Sequence, residues 1–227
     1  MNQNAMHIAM ILDRSGSMGS IAAATVEGVN AFLTEQHQSS AVVSLLLVQF
    51  DDQYDQVYAG PIAGAPILTL SEQPASNEVR FEPRGMTALL DAMGKTIDDV
   101  GNSLAALPED QRPAKVVIVT MTDGQENRSR HFTLQHIAER IQHQRDIYKW
   151  EFQFLAANQD AIATAAAMNI PMANAITYAA SPQGARNVIA SASRSVRAYS
   201  VPGAAMPMFS TKDRAAAVEP EQEEAKP

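Results

Sequence analysis

Four stretches of the chain are almost wholly apolar: residues 7–12 (HIAMIL), 41–50 (AVVSLLLVQF), 116–121 (VVIVTM) and 152–156 (FQFLA). Strict alternation would mark strands wetted on one face; unbroken runs of this length mark strands covered on both, as in parallel sheets. The segments between them follow a helical period. Leu89, Leu90, Met93, Ile97, Val100, Leu104 and Leu107 fall within roughly a 100° arc, which is one buried stripe. Leu134, Ile137, Ala138, Ile141 and Tyr148 do the same, and Val26, Val29, Phe32 and Leu33 give a shorter stripe near the start. Strands alternating with helices predict βαβ crossovers and a doubly wound α/β domain, a mostly parallel sheet with helices on both faces.

Residues 50–60 (FDDQYDQVYAG) join two strand-like runs through a short polar turn, which predicts a hairpin and one antiparallel edge strand. Residues 175–178 form a weaker strand candidate, and a final helix is expected from about Pro182 to Ser200. Beyond it the chain turns rich in Ala, Pro and Glu with little apolar period. The expectation is a domain over 1–200 and a flexible tail over 201–227.

Composition narrows the class. A chain of 227 residues suits one α/β domain, and 46% hydrophobic with 19% charged residues excludes wholesale disorder. No run nears the ~20 apolar residues that span a bilayer, and residues 1–10 lack the features of a signal peptide, so a cytoplasmic protein is expected. With no cysteine there is no disulfide framework, thiolate metal site or catalytic thiol. A net charge of −8 disfavours nucleic acid and anionic membrane as partners and favours cations.

Ligands of open α/β sheets gather beyond the carboxyl ends of the strands. Beyond the first strand stand Asp13, Ser15 and Ser17; beyond the 116–121 run stands Asp123; and Thr87 opens its helix after the stretch PRGM. Two carboxylates and three hydroxyls suit a hard divalent cation, Mg²⁺ first, with Mn²⁺ and Ca²⁺ as alternatives. In a locally extended segment alternate residues share a side, so Asp13, Ser15 and Ser17 can face one ion while Arg14 and Gly16 turn away. Two carboxylates only neutralise a 2+ ion, which leaves it an acceptor for one more anionic oxygen. Taken singly, each loop reads equally as ordinary cap and turn chemistry: serines after a strand, Thr87 as an N-cap, Asp123-Gly124 as a turn pair.

Taken together, DRSGS at 13–17, Thr87 in RGMTALLDA and Asp123 in VTMTDG resemble the three-part metal-ion-dependent adhesion site of von Willebrand factor type A domains. The resemblance covers residues 6–200 and includes the order of elements; it departs at Met86, where a second glycine is usual. It implies direct or near-direct contact of Ser15, Ser17 and Thr87 with the cation, and contact through water for Asp13 and Asp123. It also implies a non-enzymatic module that binds a protein partner through an Asp or Glu completing the metal's shell. Family analogy adds an AAA-type ATPase or assembly complex as the kind of partner, with self-association as an alternative. Met18, Met86, Gln125 and Glu126 flank the ligands and are the candidates for the contact rim.

Enzymatic readings fare worse. A phosphatase built on a strand-terminal Asp needs a second acid two residues on, where Ser15 stands; no Walker A motif and no GxSxG elbow occur. His131, His136 and His143 have the wrong spacing for an HxxxH pair and are expected at the surface or half-buried. Arg186, Arg194 and Arg197 share one side of the last helix, read as its solvated face, with a docking face as the alternative. Glu219, Glu221, Glu223 and Glu224 are carboxylates that could reach the metal in cis or from another copy; a solubilising tail is the simpler reading.

Overall fold

A computed structural model describes residues 1–157 and 160–219. Its centre is a six-stranded sheet in the order β3-β2-β1-β6-β7-β8. The strands are β1 (Asn2–Asp13), β2 (Val42–Phe50), β3 (Tyr54–Pro61), β6 (Pro113–Thr122), β7 (Glu151–Ala157) and β8 (Ala175–Tyr178). Only the β2–β3 pair is antiparallel, so the hairpin forms one edge as expected. Every other neighbouring pair is parallel. A separate two-stranded parallel sheet, β4 (Ile67–Thr69) and β5 (Glu78–Arg80), lies in the long connection after β3.

Among the described residues six α-helices cover the sheet: α1 (Ala22–His37), α2 (Leu89–Ala105), α3 (Leu134–Tyr148), α4 (Ala161–Ala167), α5 (Pro182–Tyr199) and α6 (Thr211–Val218). Side chains of a central strand must leave both faces, so each face needs its own apolar cover. Ile8, Met10 and Leu12 of β1 pack with α1, α5 and α6, while Ala9 and Ile11 pack with α2, α3 and α4. The stripe of α2 is buried from Leu89 through Val100, and the helix stops before Leu107 and Pro108. In α3 only Ile137 and Ile141 are buried, because Leu134 and Tyr148 fall at the exposed ends. Among the described residues no helix is long and apolar enough to cross a membrane.

The structure differs from the expected flexible tail over residues 201–219. Met206, Phe209 and Ala217 are buried in the same core as α1 and α5. Ser210 and Asp213 close a capping box at the start of α6. Ala179 N donates to Ala217 O at 2.9 Å, and Arg214 donates to Ala175 O at 2.7 Å, which straps α6 along β8. Lys115, on β6, donates to three carbonyls at and just past the end of α5, those of Tyr199, Val201 and Ala204, at 2.5, 2.6 and 2.9 Å. These contacts replace water for a segment whose polar composition argued against packing. Glu221, Glu223 and Glu224 lie outside the described residues; Glu219 is exposed at the end of α6.

The arginines of α5 are spent on neighbouring elements. Arg186 meets Glu27 of α1 at 2.8 Å, Arg194 meets Asp213 of α6 at 2.9 Å, and Arg197 donates to the carbonyl of Glu35 at 2.7 Å. His131, His136 and His143 are exposed, and His136 takes part in the cap of α3.

Candidate metal centre

Asp13 is the last residue of β1, held level with Phe50 of β2 by the parallel register. Its carboxylate is fully buried and accepts two hydrogen bonds, from Ser15 N at 2.6 Å and from the Thr122 hydroxyl at 2.6 Å. Thr122 ends β6, so the two central strands are joined side chain to side chain at their carboxyl ends. The next residue, Asp123, accepts from the Ser17 hydroxyl at 2.6 Å, and the Ser15 and Ser17 hydroxyl oxygens lie 3.2 Å apart. Extended geometry persists only as far as Ser15; Ser17 belongs to a 3-10 turn (Gly16–Ile21) that carries its hydroxyl to the same side.

Thr87 completes the cluster. A Cβ placed on Gly124 would sit 3.1 Å from the Thr87 hydroxyl oxygen, 3.6 Å from that of Ser17 and 3.9 Å from that of Ser15. Three hydroxyls from two loops therefore surround one small space that the missing side chain of Gly124, on a third loop, keeps open.

Capping does not account for these residues. No side-chain cap hydrogen bond exists at Ser15, at Ile21 before α1 or at Ala88 before α2. Elsewhere Thr133, Asp160, Ser181 and Ser210 make such bonds. The hydroxyls of Ser15, Ser17 and Thr87 therefore do not serve as helix caps.

Burial sets the electrostatics. It raises the Asp13 carboxyl from 3.8 to about 6, against the lowering effect of its bonds from Thr122 and Ser15, and the Asp123 charge adds to the rise. Burial likewise raises Asp123, offset in part by the Ser17 hydroxyl. The Tyr178 phenol, buried first and then opposed by both carboxylates, rises well above its ordinary value and donates to the Thr122 carbonyl at 3.1 Å. Among the described residues no lysine or arginine forms an ion pair with Asp13. Two carboxylates held together at low exposure favour any cation that can reach them. Among the described residues no three His, Cys, Asp or Glu side chains cluster for a metal, so the donors are the two carboxylates and the hydroxyls, an all-oxygen set fitting a hard ion.

Several residues that shape the centre gave no sign in the sequence. Asn127 brackets Thr87, accepting from its N–H at 2.9 Å and donating its own N–H to the Thr87 carbonyl at 3.1 Å. Asp91 accepts from the amides of Arg130, His131 and Phe132, which laces the loop after β6 onto α2. These are side-chain-to-backbone bonds across the fold, and a linear pattern carries no trace of them. Thr122 did have a signal: it lies beside Asp123 at a strand end.

The four rim candidates separate. Met86 is 44% exposed and Gln125 is exposed beside the cluster. Met18 is fully buried in the α1 core, because the 3-10 turn folds it under the loop, and it offers nothing to a partner. The Glu126 carboxylate turns inward to accept from Leu90 N at 2.9 Å, Ser129 N at 2.6 Å and the Ser129 hydroxyl at 2.7 Å, so it serves the amide end of α2 instead of the rim.

No protein-family model and no curated protein sequence matches the chain. Solved structures do. A von Willebrand factor type A structure from Catenulispora acidiphila superposes with a TM-score of 0.57 at 14% identity, over 86% of this chain and 43% of that one. The D319A mutant of the PilB minor pilin from Streptococcus sanguinis gives 0.55 at 11% identity, over 87% of this chain and 62% of that one. Proximal thread matrix protein 1 from the mussel byssus gives 0.53 at 13% identity, over 84% and 45%. The chain thus spans about half the length of these proteins, and at such identities the likeness is one of fold.

Proposed function

We infer that this chain, which has the fold of a von Willebrand factor type A domain, is a protein-binding module whose contact point is a divalent cation. The carrying observation is the convergence of the Ser15, Ser17 and Thr87 hydroxyls on one space beside two buried carboxylates. Those hydroxyls would hold Mg²⁺, or Mn²⁺ or Ca²⁺ in its place, with Asp13 and Asp123 acting through water. When bound, the cation offers a coordination position to an anionic oxygen. An Asp or Glu of the partner suits it, and Met86 and Gln125 supply surrounding contact.

The arrangement favours binding over hydrolysis. Ser15 occupies the place of a second acid, and the Asp13 carboxylate is fully buried and hydrogen-bonded on both oxygens, which does not suit a base. A second reading, self-assembly as a structural subunit, draws support from the likeness to a byssus matrix protein and a minor pilin.

Calorimetric titration with MgCl₂ and MnCl₂ tests the cation: saturation near one ion per chain is expected, and no saturable heat would overturn the reading. Capture of partners on immobilised protein, in Mg²⁺ and again in EDTA, tests the contact, and equal retention in both would sink it. Light scattering in the same two buffers separates self-assembly from binding to another protein.

Gly124→Ala offers a sharper check. Its methyl group would project into the space between the three hydroxyls, 3.1 Å from Thr87 Oγ1. The backbone there needs no left-handed conformation, so folding should be unaffected. Cation affinity is expected to drop more than about tenfold with the unfolding temperature in EDTA unchanged; unchanged affinity would place the cation elsewhere.

A further inference from the structure

Asp51 directly follows β2 at the same end of the sheet, away from the two strands that lead to the cluster's carboxylates. It is fully buried, and its carboxylate accepts from Arg14 Nε at 3.1 Å, Arg84 Nε at 2.9 Å and Gln53 N at 2.6 Å. Its carbonyl accepts from Ala88 N, the residue after Thr87, at 2.9 Å. The geometry points to Asp51 as the positioning residue that fixes the Thr87 loop against the loop of Ser15 and Ser17, and thereby sets affinity for the cation. This inference rests on the cation reading above.

Both loops are tied to Asp51 from either side. Arg14 lies between Asp13 and Ser15, so its guanidinium links Asp51 to the first loop directly. Arg84 opens the second loop, and its N–H donates to the Arg14 carbonyl at 2.7 Å, while Gly16 N donates to Gly85 O at 3.3 Å. Gly85 adopts φ +67°, and a Cβ there would lie 3.3 Å from the Asp51 Cβ and 2.6 Å from an Asp52 carboxylate oxygen. The second loop therefore rests on the Asp51 backbone and is pinned by its side chain. Thr87 has a clamp on each flank, Asn127 on one and Asp51, through Ala88, on the other.

Charge acts in the same sense. Asp51 is the buried anion that both guanidiniums contact; the half-exposed Asp55 adds a contact to Arg14 at 2.5 Å and a longer one to Arg84 at 3.9 Å. Burial works to raise the Asp51 carboxyl, but the bonds and charges of Arg84, Gln53 and Arg14 outweigh it and hold the group below its usual range. Without that carboxylate the two arginines keep only the half-exposed Asp55 in common, and the buried link between the two loops is lost.

The test is a cycle of Asp51→Asn, Thr87→Val and the double variant, titrated with MnCl₂ by calorimetry, with unfolding in EDTA as the check on folding. If Asp51 acts by placing Thr87, Asp51→Asn weakens Mn²⁺ binding by about 10- to 100-fold, and the double variant is little worse than Thr87→Val alone. Affinity of Asp51→Asn within twofold of wild type, or full multiplication of the two losses, would overturn the inference. Should Asp51→Asn not fold, Arg84→Gln replaces it in the cycle under the same two criteria, since that side chain is 43% exposed. If the wild type binds no Mn²⁺ or Mg²⁺ at all, the cation reading fails, and this inference with it; wild-type binding with an indifferent Asp51→Asn sinks this inference alone.

Discussion

Asp13→Asn is expected to stabilise the metal-free protein while removing its response to Mg²⁺. Burial raises the Asp13 carboxyl from 3.8 to about 6, so above pH 6 the native state holds a charge that the unfolded chain carries more easily. Between the two values the native state binds the extra proton, so stability in chelator falls as pH rises from 3.8 to about 6 and stays low beyond. A shift of this size corresponds to up to about 3 kcal/mol. Asparagine has the same shape and no ionisation; it keeps an acceptor for Ser15 N, and the Thr122 hydroxyl can accept from its amide. At pH 7 the variant should therefore unfold several degrees above wild type in EDTA, an advantage that shrinks on acidification. Mg²⁺ should raise the unfolding temperature of wild type, since it binds only the native state, and leave the variant unmoved. A variant that is less stable in EDTA and still shifted by Mg²⁺ would contradict both halves.

Cutting the chain after Ser200 should have the largest effect on folding. The cut removes Met206 and Phe209, both within the core of the α1 face, at about 2 kcal/mol or more each from lost burial. It also strips the Ser195 hydroxyl of its acceptor, the Pro207 carbonyl at 2.9 Å, and Lys115 of two of its three carbonyls. Ala179 N and the Asn187 side chain lose partners on α6 as well. Domains of this kind are stable by roughly 5–15 kcal/mol in total, so the 1–200 fragment should be unfolded or barely folded at room temperature by circular dichroism. A cooperative transition within a few degrees of the full chain would show α6 to be dispensable.

Legibility followed the range over which each signal acts. The apolar runs of β1, β2, β6 and β7 and the stripe of α2 declare themselves within about ten to twenty residues, because strand and helix periods are local. α4 (AIATAAA) and α6 (TKDRAAAV) have no comparable stripe: alanine fills small spaces against neighbours, and only those neighbours make it a core residue. Met18 looked like rim material because it follows Ser17 in the chain, and Glu126 because it follows Asp123 closely. Which way each side chain points was settled by a 3-10 turn in one case and by the free amides of α2 in the other.

By itself, then, the sequence determined the layered α/β class, its antiparallel edge and the oxygen chemistry available in three loops, since residue types and their spacing decide these. Only the tertiary structure decided that the hydroxyls of Ser15, Ser17 and Thr87 meet around Gly124. It alone joined Arg14, Asp51 and Arg84 into one network and folded residues 201–219 back onto the core. The physical reason is that convergence at the site depends on strand register and packing between segments as much as 109 residues apart, where the chain in between imposes no fixed geometry.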